Sequence, residues 1–368
     1  MKKNIYFFST NRADYGLIKN VYDQFKKNSI NSVKLVITGK LKLEVIEKNY
    51  IKYQFREFSN NFSNNPKNIS LYINKFNIFF KKHKPDLIFL LGDRYETLGI
   101  ALSAFYNFIK IAHISGGEET EGSMDNVNRH LITKLSNLHF VYFHEYRKRV
   151  VQLGENPKNV YICNPLFIDS LRKDYLAIRD IEKKFNFSFK DTNALVTFHP
   201  ITNKPKKNSE YLKIFLDSLS NFKNINFIFT SSNHDGGGGD FNKLIKKYCK
   251  NNKSSTSYIE NFGHKYYYSC MSYVNFVIGN SSSGVIEAPL IGTPSINLGN
   301  RQKGRIKFQS VFNCAISKNQ IMKAIKKVLL LKKKNKKLNK VSPSKIILNK
   351  TNIYLNRNNN LPKVFFDI

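Results

Sequence analysis

Ser281, Ser282, Ser283 and Gly284 follow an apolar run, Asn275 to Ile278, after Gly279 and Asn280, and directly precede a helical apolar pattern. A strand that breaks into a small, hydroxyl-rich turn and then a helix offers backbone N–H groups to an anion, which makes the turn a phosphate seat. Glu287 follows about one helical turn later, where a carboxylate accepts hydrogen bonds from sugar hydroxyls. Phosphate and ribose together would be a nucleotide. Taken alone, the same serines read first as an ordinary capped helix start.

A second group of residues is acidic. Asp93 stands in Gly92 to Glu96 (GDRYE), and Glu118 and Asp125 stand in Gly116 to Asp125 (GGEETEGSMD), each group following an apolar run. Carboxylates beside arginines suit proton transfer next to a departing anion. Each has a plainer reading: Asp93 would cap the next helix, Asp125 would be the N-cap of a helix over 126–136, and Glu118 would be one member of a solvated acidic loop.

The elements that must position these residues alternate throughout. Short apolar runs at 5–9, 33–38, 86–91, 109–115 and 138–142 read as strands, separated by helical patterns at 15–27, 69–82, 97–108 and 125–136. The pattern restarts with strands at 194–198, 226–230, 275–278 and 295–298 and helices at 209–220, 241–250 and 284–290. Alternating βα units predict parallel sheets covered by helices on both faces, with ligands at the carboxyl ends of the strands. The expected division is an N-terminal Rossmann-like domain over 1–168 carrying the acids, a C-terminal Rossmann-like domain over 169–340 binding the nucleotide, and a tail over 341–368 returning toward the first.

Composition excludes several alternatives. The 368 residues exceed the usual size of one domain. Four scattered cysteines show neither CxxC nor His spacing, so neither a disulfide framework nor a metal site is indicated. The N-terminus carries too short an apolar run for a signal peptide, and no run approaches membrane-spanning length, so a cytoplasmic protein without membrane partners is expected. The net charge of +34 invites a nucleic-acid reading, but the lysines are spread widely and travel with asparagines. The one concentrated stretch, 325–340, reads as a helix with a solvated face.

With these segments assembled, the chain resembles the hydrolysing UDP-N-acetylglucosamine 2-epimerases of sialic acid biosynthesis, within the wider sugar-nucleotide 2-epimerases. The segments that carry the resemblance are Asn11 to Gly16 (NRADYG), Gly92 to Glu96, His113 to Phe140, Glu145 to Glu155, His199-Pro200 and Gly279 to Arg305. The resemblance implies an α/β fold of two Rossmann-like domains facing across a cleft, as in GT-B glycosyltransferases. It implies a small-molecule sugar nucleotide as partner, no nucleic acid, no metal or redox cofactor, and a homo-oligomer, dimer or tetramer. The chemistry it implies is loss of UDP from C1 and of the proton from C2, giving a 2-acetamidoglucal, followed by hydration to N-acetylmannosamine.

By resemblance, Asp93, Glu118 and Asp125 serve proton transfer, and Arg12, Arg94 and His199 contact substrate or phosphate. Ser282, Ser283 and Gly284 hold the phosphates, Glu287 the ribose, and Arg301 and Arg305 approach the diphosphate or sugar. The family's Asn-Ala-Asp segment corresponds to Asn233-His234-Asp235, here before four glycines, which places Asn233 and Asp235 among the binding residues. Where Ser115 stands, the hydrolysing branch often has a histidine. His130 and His139 are expected to pack within the first domain, His83, His144 and His264 have no role, and Tyr266 to Tyr268 read as core or surface aromatics. Alternatives are a hydrolysing 2-epimerase of UDP- or GDP-2,4-diacetamido-2,4,6-trideoxyglucose, a non-hydrolysing epimerase and, more distantly, a GT-B glycosyltransferase.

Overall fold

Leu87–Leu91 is a run of apolar residues buried along its whole length, as a parallel strand covered on both faces requires. It lies in the middle of the first of two sheets in this computed structural model, which describes residues 2–28, 30–39, 50–58, 65–121, 124–171, 175–201, 207–232, 238–331, 341–357 and 363–368. Those residues form two compact units: one takes in Met1–Glu118, Met124–Asp169 and Val341–Ile368, the other Glu119–Ser123 and Ser170–Lys340.

In the first unit, β1 (Asn4–Ser9), β2 (Ser32–Ile37), β3 (Tyr50–Lys52), β4 (Leu87–Leu91), β5 (Lys110–Ile114), β6 (Leu138–Val141) and β7 (Val160–Ile162) run parallel in the order β3-β2-β1-β4-β5-β6-β7. Helices α1 (Arg12–Lys27), α2 (Asn65–His83), α3 (Tyr95–Tyr106), α4 (Met124–Leu135), α5 (His144–Gln152) and α6 (Phe167–Leu171) connect or follow them. The core between sheet and helices is aromatic: Phe7 stacks on Phe89 with ring centroids 4.5 Å apart, and Phe8 packs edge-on against Phe76, Phe79 and Phe80.

The second unit repeats the plan. Strands β8 (Asn193–Thr197), β9 (Asn226–Thr230), β10 (Thr256–Ile259), β11 (Phe276–Gly279), β12 (Ser295–Leu298) and β13 (Val311–Cys314) are parallel in the order β10-β9-β8-β11-β12-β13. Its helices are α7 (Ile178–Phe185), α8 (Asn208–Leu219), α9 (Gly238–Asn251), α10 (Gly263–Tyr273), α11 (Ser282–Val285), α12 (Glu287–Ile291) and α13 (Lys318–Leu329). The last helix, α14 (Pro343–Leu355), belongs to the first unit, where it packs on α1. The Asp169 carboxylate accepts a hydrogen bond from the Ser344 amide at 2.8 Å and so caps that helix.

Both sheets therefore have the Rossmann strand order, which reverses direction between β1 and β4 and again between β8 and β11. Such switch points leave a crevice beyond the strand ends, and the loops leaving these strands hold most of the polar residues singled out above.

Three readings of local structure are corrected. The helix expected over 284–290 is instead two short pieces, α11 and α12, meeting at Ile286 (φ −115°, ψ −63°). Pro289 is the cause: it has no N–H to offer the Val285 carbonyl, and its ring crowds that carbonyl. Helix α4 begins at Met124, so Asp125 stands in its first turn and is not its N-cap. Helix α13 ends at Leu329, and residues 332–340 of the expected basic helix lie outside the described residues.

Gly279 ends β11 directly opposite Thr197, with φ +150°, and a Cβ there would sit 1.9 Å from the Thr197 carbonyl oxygen. Gly279→Ala must therefore both strain its backbone and push two central strands apart, at a cost of about 2–5 kcal/mol. Urea unfolding checks this; a loss under about 0.5 kcal/mol, the size of an ordinary surface substitution, would contradict it.

Candidate active site

At the first switch point, α1 is capped by Asn11, whose Oδ1 accepts the Asp14 amide at 2.9 Å. The Asp14 carboxylate faces back toward the strand end, accepting from Thr10 Oγ1 at 3.4 Å and, at short range, from Asn11 Nδ2. Burial pushes its pKa up to about 7; Arg94 opposes that rise, and Asp93 and Glu96 add to it. After β4, Arg94 occupies the N-cap position of α3 without a side-chain cap, so the expected capping role of Asp93 is not realised. Arg94 instead bonds the buried Glu96 through Nε at 3.2 Å and Nη2 at 3.3 Å.

The Asp93 carboxylate pairs with Arg129, a residue on α4 that the sequence reading passed over. The Arg129 side chain is only 3% exposed, and its Nη1 also donates to the Glu118 carbonyl at 2.8 Å and to Asn126 Oδ1 at 2.9 Å. One guanidinium thus ties the β4 loop, the β5 loop and the start of α4 together. Asp125 shares that first turn of α4 and is exposed, whereas Glu118 is buried. The backbone before Glu118 can lie where it does because Gly117 has φ +74° and no Cβ, which would fall 2.2 Å from the Tyr146 carbonyl oxygen. His113, at the end of β5, is buried between the Gly92 carbonyl (Nε2, 2.8 Å) and Thr133 Oγ1 (Nδ1, 3.0 Å). Burial lowers its pKa to about 3, so the ring is neutral and donates its Nε2–H to Gly92.

At the second switch point Asn280, fully buried just past β11, does comparable work without charge. Its Oδ1 accepts the His199 amide at 2.7 Å and its Nδ2 donates to the His199 carbonyl at 2.8 Å. Its own carbonyl accepts from Arg301 Nη1 at 3.1 Å and Gln302 Nε2 at 2.9 Å. The loops after β8, β11 and β12 are thereby joined. The His199 ring meets Ser232 Oγ at 3.3 Å; burial first, and the Arg301 charge second, bring its pKa down to about 3. A contact from His199 to phosphate would thus be a neutral hydrogen bond.

Ser281 caps α11, accepting the Ser283 amide. Ser282 and Gly284 are half-buried, while the Ser283 hydroxyl turns inward to Tyr267, 2.7 Å from its hydroxyl. Tyr267 comes from α10 and also lies 3.4 Å from Thr197 Oγ1, so it braces the turn where the sequence suggested only packing. Burial raises its pKa to about 12, with nearby Glu287 contributing. Glu287 begins α12, half-buried like Arg305. With α11 only four residues long, an anion at this turn would meet local N–H groups and not a macrodipole.

The Arg12 side chain, Asn233 and Asp235 lie outside the described residues. Among the described residues no cluster of three or more His, Cys, Asp or Glu could hold a metal, and no helix is long and apolar enough to cross a membrane. His139 packs in the first unit as expected, its Nε2 3.0 Å from Glu155 Oε2.

Residues 27–346 match the family described as UDP-N-acetylglucosamine 2-epimerase. A GDP/UDP-N,N'-diacetylbacillosamine 2-epimerase (hydrolyzing) of Campylobacter jejuni is 33% identical over 86% of this chain and 85% of its own length. The polysialic acid biosynthesis protein P7 of Escherichia coli is 32% identical over 88% and 85%. The crystal structure of a UDP-GlcNAc 2-epimerase from Neisseria meningitidis, bound to UDP-GlcNAc, superposes with TM-score 0.76 over 95% of this chain and 100% of that one, at 14% identity, and so shares the fold.

The two buried neutral histidines make stability depend on pH. Their folded pKa of about 3 lies below the ordinary 6.5, so the unfolded chain takes up protons that the folded chain refuses. Their contribution is complete above pH 6.5 and is lost as pH falls toward 3, by up to about 1.4 kcal/mol per pH unit for each histidine. Unfolding free energies across that range check it: His113→Asn should make the slope shallower by about one proton, and an unchanged slope would contradict the assignment.

Proposed function

The chain belongs to the UDP-N-acetylglucosamine 2-epimerase family, and from that premise we propose that it is a hydrolysing 2-epimerase of a nucleotide-linked 2-acetamido sugar. The observation that carries this reading is the joining of Asp93 and Glu118, from different loops, through the buried Arg129 beside Asp125. The reaction needs a base for the C2 proton, a proton for the departing phosphate and a group that directs water to C1. Carboxyls on loops that leave neighbouring strands suit such proton transfers, and Asp93, Glu118 and Asp125 are assigned to proton transfer without dividing the steps among them.

The nucleotide is assigned to the second unit. Ser282, Ser283 and Gly284 present the turn for the diphosphate, Glu287 takes the ribose hydroxyls, and Arg301 and Arg305, on the loop after β12, supply positive charge. His199 adds a neutral donor, and Arg12 and Arg94 are assigned to substrate in the first unit. Asn233 and Asp235 complete the proposed binding set.

The leading substrate is UDP-N-acetylglucosamine, giving N-acetylmannosamine and UDP. The likeness to the Campylobacter jejuni enzyme favours a second reading, in which the sugar is 2,4-diacetamido-2,4,6-trideoxyglucose linked to UDP or GDP. The two sugars share the chemistry at C1 and C2 and differ only around C4 and C6.

Purified protein incubated with each sugar nucleotide in heavy water should release nucleotide and a free 2-epimerised sugar carrying deuterium at C2. Retention of the nucleotide on the sugar, or transfer to an acceptor, would refute hydrolysis. Asp93→Asn and Asp125→Asn should each lower turnover by ~10²-fold or more while UDP still binds. Glu287→Ala should weaken UDP binding by about 1–3 kcal/mol, and an unaltered dissociation constant would remove its ribose role.

A further inference from the structure

The carboxyls of the first switch point differ in how their charge is met. Asp93 has the Arg129 guanidinium, and Glu96 has Arg94 through two hydrogen bonds. Asp14 receives its described hydrogen bonds from neutral groups, the Thr10 hydroxyl and the Asn11 amide. Among the described residues, the charged groups that act on it come from the loop and helix after β4: Arg94, already engaged by Glu96, and the like charges of Asp93 and Glu96. On its own helix, Asn11 orients it through the cap, 2.9 Å from its amide. A carboxyl crowded by two others, with its nearest guanidinium shared, is the one that holds a proton most readily. Because β1 and β4 are adjacent, that carboxyl and Asp93 open onto the same strand-end crevice.

We propose that Asp14 is the proton donor of the elimination step, acting opposite Asp93. This rests on the hydrolysing 2-epimerase reading given above. As the C1–O bond breaks, its electron pair stays on the departing phosphate oxygen, which takes the Asp14 proton. The C2–H electrons form the C1–C2 double bond, and the C2 proton passes to Asp93. Asp14 ends as carboxylate and Asp93 as carboxylic acid, so no net proton is gained or lost. Water then adds across the double bond: its hydroxyl goes to C1 and its proton to Asp14, while C2 takes a solvent proton on the face opposite Asp93, and Asp93 returns the proton it holds to solvent. The pairings explain the division of labour: the acid with a guanidinium of its own accepts, and the acid whose nearest described guanidinium is held by Glu96 donates.

Two measurements on the full-length protein test this. Carboxyl-carbon NMR titration of the unaltered protein should show one aspartate titrating near pH 7, absent from Asp14→Asn. Turnover of the unaltered protein should fall on the alkaline side with a midpoint near the same pH, whereas Asp14→Asn should lose ~10²-fold in kcat with little change in KM and should lack that limb. The proposal is overturned if no aspartate titrates near neutrality, a result that needs neither turnover nor a folded variant. It is equally overturned if the variant keeps the parent kcat and pH profile, or if only KM rises. A complete lack of turnover by the unaltered protein, with the titration as expected, would instead refute the hydrolysing function and the donor role with it.

Discussion

A guanidinium that is taken out of water must be given opposite charge and hydrogen-bond acceptors, and Arg129 obtains both from the loops that carry the acids. The Rossmann sheet brings the ends of β4 and β5 side by side, but strand order alone leaves the loops beyond them undetermined. Arg129 determines them: it draws in the Asp93 carboxylate, the Glu118 carbonyl and Asn126, so the β4 loop, the β5 loop and α4 share one anchor. The neutral His113, bridging the Gly92 carbonyl and Thr133, holds the same loops from beneath.

The second unit solves the same problem with an amide. Asn280 grips both backbone groups of His199 and offers its carbonyl to Arg301 and Gln302, which fixes three strand-end loops with no buried charge. The difference fits the tasks proposed above for the two units, proton transfer in the first and nucleotide binding in the second. A unit that moves protons benefits from carboxyls whose environments differ, and a charged anchor creates that difference by favouring one of them. A unit proposed to receive a polyanion gains nothing from a carboxylate anchor.

The two parallel sheets were legible because their central strands are continuous apolar runs, such as LIFLL at 87–91 and NFIFT at 226–230. The edge strands β3, β7, β10 and β13 went unread. They are three or four residues long, and β13 has no buried residue, so neither length nor periodicity marks them. The positions of Asp93, Glu118 and Ser281 to Gly284 followed from where strands end. Arg129, Asn280 and Tyr267 did not, because each acts through contacts distant in sequence: Arg129 reaches 36 residues back to Asp93, and Asn280 reaches 81 back to His199. The single helix expected over 284–290 failed on one residue, Pro289, whose effect falls four positions upstream.

The account stands on the pairing of Asp93 with Arg129, and a double-mutant cycle measures it most directly. Unfolding free energies of the parent, Asp93→Asn, Arg129→Met and the double variant should reveal a coupling of about 1–3 kcal/mol, the double variant losing less than the two single losses combined. Additivity within about 0.5 kcal/mol would show that the two side chains act independently, and the proposed organisation of the carboxyls would fall with it.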